Sequence, residues 1–148
     1  MKRSRFPKSS LSFLALAAFV PLAATPMAAW SADLDLTVEN VKGAGDLRVG
    51  VYASSAHFRK TAAKEIRAAA TGDPVSIRIP GLDAGDYAIA IFHDRNGNQK
   101  LDSNMMGIPT EPYGFSGSAR NLMAPATWEQ AKFSMAADGG AVPVKLSD

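Results

Sequence analysis

The stretch Leu82-Asp83-Ala84-Gly85-Asp86-Tyr87-Ala88-Ile89-Ala90-Ile91-Phe92 decides the fold. Ala88 to Phe92 is apolar on both faces, the pattern of a central strand covered from two sides. The Leu-x-x-Gly-x-Tyr approach resembles the tyrosine corner of Greek-key sandwiches, in which the phenol bonds an upstream backbone group and pins a crossover. Tyr87 is therefore expected to be structural; its competing reading is an ordinary strand tyrosine.

Working outward, the apolar period stays at two. Leu34, Leu36 and Val38 alternate with polar neighbours, as do Leu47, Val49 and Val51, and the glycines between them read as the turn of a hairpin. Val75, Ile77 and Ile79 form another strand, which Pro80-Gly81 should stop. Phe133 and Met135, then Val142, Val144 and Leu146, supply two closing strands, with Pro143 marking the last as an edge. Residues 54–70 stay open: Phe58, Ala62, Ile66 and Ala69 follow helical spacing, while a turn followed by a strand over 64–70 competes. The expected architecture is all-β, a Greek-key sandwich of six to seven strands.

The first 31 residues read as an export signal. Lys2, Arg3, Arg5 and Lys8 precede the apolar run Leu11 to Leu22, and Ala29-Trp30-Ser31 offers a small-x-small end. The run is short for a bilayer span, which needs roughly 20 apolar residues. A retained anchor is the alternative. Cleavage after Ser31 leaves one domain over 32–148, with periplasmic or extracellular localisation and no membrane span. Four of the chain's 16 Lys and Arg lie in the signal, so the remainder carries 12 basic against 14 acidic residues. An acidic domain offers little phosphate neutralisation, so nucleic acid is not an expected partner. Arg59, Lys60, Lys64 and Arg67 form a local basic patch, read as a solvated face before a partner site. The absence of cysteine excludes disulfides, thiol nucleophiles and zinc-thiolate sites.

Between Asp94 and Thr127 the periodicity is lost, and 16 of 34 residues are Gly, Pro, Asn, Asp or Ser. A loop this long in a compact domain is usually functional or tied down. Its densest part is Asp94-Arg95-Asn96-Gly97-Asn98-Gln99-Lys100-Leu101-Asp102. Counting from Asp94, oxygen-bearing side chains fall at the first, third, fifth and ninth places, and the Lys100 carbonyl is available at the seventh. That is the ligand order of a calcium loop, in which successive oxygens curl round a hard cation. The glycine comes two places early, and Met105 stands where an EF-hand has its bidentate Glu. A site here would be completed from elsewhere, for which Glu111 is the candidate. The competing reading is a metal-free loop whose Asp and Asn side chains bond their own backbone.

The segments Gly85–Ala90, His93–Asp102 and Gly107–Ser116 together resemble a bacterial secreted family, domain-of-unknown-function family 2141. The likeness covers nearly all of the domain. It implies a small periplasmic or extracellular sandwich, immunoglobulin- or transthyretin-like and similar in style to carboxypeptidase-regulatory domains. It favours the strand for residues 64–70, and it carries no activity. Gln99 stands where the family commonly has Gly.

Two function classes follow. One is a non-enzymatic secreted module whose long loop presents a binding surface for a protein or small molecule. Tyr113, Phe115 and Trp128, with Met105 and Met106, are its candidate contacts. The other is a small hydrolase using His93 and Glu111 or a cation-bound water. Gly114-Phe115-Ser116-Gly117-Ser118 is not a nucleophile elbow, because its second glycine comes one residue early. His93 and Asp94 are neighbours on an extended strand and should face opposite ways. Convergence of His93, Asp94 and Glu111 in one cleft would favour the hydrolase.

Overall fold

The computed structural model describes residues 31–117 and 125–147. The export-signal segment lies outside the described residues apart from Ser31. Eight strands and one short helix follow in the order β1 (Ala32–Glu39), β2 (Asp46–Tyr52), β3 (Lys64–Ala69), β4 (Val75–Leu82), β5 (Gly85–Asp94), β6 (Tyr113–Phe115), α1 (Trp128–Ala131), β7 (Lys132–Met135) and β8 (Gly140–Lys145). They form a sandwich of two sheets. One has the order β4-β1-β8 and the other β3-β2-β5-β6, with β7 pairing the first half of β5 on the same side as β6. Leu34, Leu36, Val38, Ile77, Ile79 and Val144 of the first sheet pack on Leu47, Val49, Val51, Ile89 and Ile91 of the second. This is the interior that the period-two alternation requires, since every second side chain points to one face.

Several expectations need correction. β1 and β2 are not a hairpin: β1 pairs with β4 and β8, and β2 with β3 and β5. The turn between them holds Asn40, Gly43 and Gly45 at positive φ and carries the chain from one sheet to the other. Pro80-Gly81 does not end its strand, because β4 continues to Leu82 past an irregularity opposite Ala32–Leu34. Residues 64–69 are a strand and not a helix. Pairing with β2 outweighs the alanine-rich helix propensity, and Phe58 belongs to the preceding turn. The count rises to eight because β6, three residues within the expected loop, pairs with Ala90–Phe92. Pro143 does lie on an edge strand, which runs parallel to β1.

Tyr87 is half-buried against the core, and its ring lies 6.5 Å from that of Phe133, its partner across β5 and β7. Among the described residues its hydroxyl makes no hydrogen bond, so aromatic packing holds it where a tyrosine corner was expected.

Candidate functional site

The loop after β5 is built on its own side chains. Asp94 is fully buried; its Oδ1 accepts from the Gly97 N–H at 2.7 Å and its Oδ2 from the Gln99 N–H at 2.9 Å. Asn96 and Asn98 each accept the N–H two residues on, at 3.0 and 2.9 Å, which makes two successive Asx turns. Their amide nitrogens donate to the Asp102 carboxylate at 2.6 and 2.9 Å. Glu111, distant in sequence, accepts from the N–H of Arg95 at 2.9 Å and of Asp102 at 3.1 Å, clamping both ends of the curl. Gly97 and Gln99 both sit in the left-handed region, at φ +77° and +67°. Gln99 thus adopts, with a side chain, a conformation that favours glycine.

Five of the candidate metal residues, Asp94, Asn96, Asn98, Asp102 and Glu111, are therefore brought together in one hydrogen-bonded loop, with Lys100 contributing backbone. No three His, Asp or Glu side chains among the described residues gather closely enough to hold a metal by themselves. A cation would need the asparagine and carbonyl oxygens too. Each accepting oxygen has a second lone pair, so the donor set fits a hard cation chemically.

His93 and Asp94 do face opposite ways. His93 shares the Ile89–Ile91 side of β5 and has no exposed surface. Neither ring nitrogen has a partner in hydrogen-bond geometry among the described residues. Burial above all, then the Arg95 charge, pushes the imidazole below its usual pKa, against the opposing pull of the Ala44 backbone and the Glu111 and Asp94 carboxylates. The Asp94 and Glu111 carboxylates are turned to the loop backbone. Ser116 is also a structural residue: its Oγ accepts from the Ile89 N–H at 2.8 Å and donates to the Ala131 carbonyl, tying β5, β6 and α1 together. Ser116→Ala would orphan a buried donor and a buried acceptor, and should lower stability by about 2–3 kcal/mol in urea unfolding. A loss below about 0.5 kcal/mol would show that the tie carries no weight.

The loop borders a groove of about 530 Å³ on the outer face of the five-stranded sheet. Strand register explains its composition. Arg67, Arg48, Phe92 and Tyr113 form one row across β3-β2-β5-β6, and Glu65, Gly50, Ala90 and Phe115 form the next. Gly50 and Ala90 make a low floor, Tyr113 and Phe115 a wall with rings 5.9 Å apart, and Gln99 and Leu101 of the loop one end. Arg48 Nε lies 3.4 Å from Asp94 Oδ2 without making a hydrogen bond, and Arg67 pairs with Asp46 at 2.6 Å. The Arg67 guanidinium holds the Asp46 carboxyl below its ordinary range. Tyr52 leans over Gly50, and burial, then Glu65, raises its hydroxyl pKa against the effect of Arg59.

Of the expected contacts, Tyr113 and Phe115 line this groove. Trp128 does not: it packs on Phe58, 5.9 Å between rings, in a small aromatic cluster beside it. Met105 and Met106 are exposed on the loop's tip. Arg48 and the Gly50–Ala90 floor were missed from sequence, and Arg59 and Arg67 were read there as a solvated basic face. The only signal for the missed residues was the polar face of each strand.

Sheets, loop and groove together define an all-β sandwich module with a loop-bordered pocket on one sheet face. Residues 36–142 match the domain-of-unknown-function family 2141, described as uncharacterized protein conserved in bacteria, and the chain belongs to that family. No curated protein and no solved structure matches it significantly.

Proposed function

We propose that this chain is an exported, non-catalytic binding module that takes its ligand in the groove on the outer sheet face, with calcium stabilising the loop at the groove's end. The observation that carries this reading is the groove itself. Its size falls in the range of small-molecule sites, and it combines aromatic walls with a few polar groups. Gln99 and Leu101 belong both to the loop and to the groove, so order in one shapes the other. The tripartite N-terminus supports export to the periplasm or beyond, and β1 begins at Ala32, directly after the proposed cleavage point. The hydrolase alternative gains no support, since His93, Asp94 and Glu111 do not line the groove.

The calcium part rests on Asp94, Asn96, Asn98, Asp102 and Glu111 around one curl, with the Lys100 carbonyl. Because the loop already satisfies many of its own polar groups, affinity should be weak, in the roughly 0.1–1 mM range of extracellular modules. At about 5 mM calcium, linkage gives roughly 1–2 kcal/mol, a rise of several degrees in Tm. The test is melting of exported protein, whose N-terminal mass should begin within a few residues of Ala32, in EDTA against calcium, with magnesium as control. Asp102→Ala should remove the rise, and Arg95→Ala should leave it. Superimposable wild-type curves would overturn the calcium reading in favour of a self-bonded Asx loop.

A further inference from the structure

We infer that the groove selects a free α-amino acid with an aromatic side chain, its carboxylate met by Arg59, its ammonium by Glu65 and its ring by Tyr113 and Phe115. The inference rests on the binding-module reading and names the ligand class for that groove.

The charges left over in the lining set those of the ligand. Arg48, Arg59, Arg67 and Glu65 are the charged residues of the groove. Arg67 is matched by Asp46 and Arg48 by Asp94, both outside the lining. One cation and one anion remain, Arg59 and Glu65, and they form an ion pair neither with each other nor with another described residue. A ligand covering both takes water from both, and a charge stripped of water without a partner is costly. A lone carboxylate would compensate Arg59 and leave Glu65 beside a like charge. A lone amine would do the reverse. A zwitterion compensates both, and a free amino acid is one at neutral pH.

The two charges also share a neighbour, as the two ends of one amino acid head group require. Arg59 is exposed in the turn after β2, and Glu65 on β3 lies opposite Gly50 of β2. The Tyr52 hydroxyl leans over Gly50, where an added Cβ would come within 2.8 Å of it. Burial first raises the pKa of this hydroxyl, Glu65 pushes it further up and Arg59 pulls it back, so both charges act on one group. A guanidinium matches a carboxylate in two parallel bonds, and a carboxylate accepts readily from an ammonium. In a peptide the two termini move apart by roughly 3.5 Å for each added residue, so this head-group site fits a single amino acid.

The rest of the row receives the side chain. Glu65, Gly50, Ala90 and Phe115 follow one another across β3, β2, β5 and β6, at about 4.8 Å per strand. Gly50 and Ala90 keep the floor low directly beside Glu65, and the rings of Tyr113 and Phe115 close its far side. A ring laid on that floor meets aromatic faces and edges, the arrangement that aromatic pairs favour.

The experiment follows amide shifts in ¹⁵N spectra of the exported protein at neutral pH. The probe is L-phenylalanine, compared with 3-phenylpropionate, which lacks the ammonium, and phenethylamine, which lacks the carboxylate. Phenylalanine should shift Gly50, Ala90 and Phe115 saturably and bind at least about tenfold tighter than either analogue, the scale of one charge-assisted hydrogen bond. Glu65→Gln should lower its affinity to that of 3-phenylpropionate without weakening 3-phenylpropionate itself. Arg59→Gln should lower it to that of phenethylamine without weakening phenethylamine. Neither side chain has an ion pair to lose, so both variants should fold as the wild type does. Equal affinity at the groove for phenylalanine and either analogue would overturn the zwitterion inference and leave the binding-module reading standing. No saturable shift with any of the three would likewise overturn the inference. Saturable shifts confined to Met105–Ile108 would move binding off the groove and overturn both readings.

Discussion

Asp94→Ala is expected to lower the stability of the domain by about 3–5 kcal/mol, the scale of breaking a buried charged pair. The side chain has no exposed surface, accepts two backbone N–H groups and faces Arg48, itself mostly buried. Its removal leaves the Gly97 and Gln99 donors without their acceptor and the Arg48 charge without its nearest carboxylate. Either loss alone is substantial, because a buried group left unpaired carries its full desolvation penalty. Asp94→Asn keeps one acceptor oxygen and should lose distinctly less. Urea midpoints of the three proteins, with slopes compared to check that the unfolded state is unchanged, decide the matter. A loss under about 1 kcal/mol for the alanine variant would mean that the loop is held without Asp94. Because the loop forms one end of the groove, ¹⁵N spectra of any folded fraction should show Gln99 and Leu101 displaced.

Gly45→Ala should be nearly as damaging, by about 2–4 kcal/mol, for a backbone reason. Gly45 enters β2 at φ +140°, a conformation L side chains rarely adopt, and an added Cβ would lie 2.6 Å from the Asp94 carbonyl and 2.9 Å from the His93 ring. Strain of about 1–3 kcal/mol and overpacking of similar size both apply. The clash cannot be relieved cheaply, since Asp94 is fixed by the β2–β5 ladder and His93 is buried. Gly43→Ala is the comparison: its φ is also positive, at +86°, but nothing lies within 4 Å of its added Cβ, so only the strain remains. If the two variants melted together, the close approach under the loop would have no energetic weight.

Both substitutions lie where the sequence was partly readable. The Asp94–Asp102 oxygen pattern is local, so its curl and its Asx alternative were visible from spacing alone. The hydrogen bonds show Asp94, Asn96 and Asn98 accepting from the loop's own backbone, and the role of Glu111 as a clamp on both ends depends on β6 pairing back to β5. Gly45 read only as a turn glycine, because the residues it touches lie almost fifty positions away.

The strands themselves, the two-faced apolarity of β5 and the edge position of β8 follow from the sequence, because side-chain alternation and proline's missing donor are properties of each residue and its neighbours. Which strands meet is a matter of long-range pairing. Tertiary structure therefore decided that β1 and β2 part into different sheets, that 64–69 joins β2 as a strand, and that Tyr113–Phe115 leaves the loop to extend the sheet. It alone made the groove. Arg67, Arg48, Phe92 and Tyr113 are scattered over 66 residues of chain and share a row only because four strands align them, and no local pattern encodes that alignment.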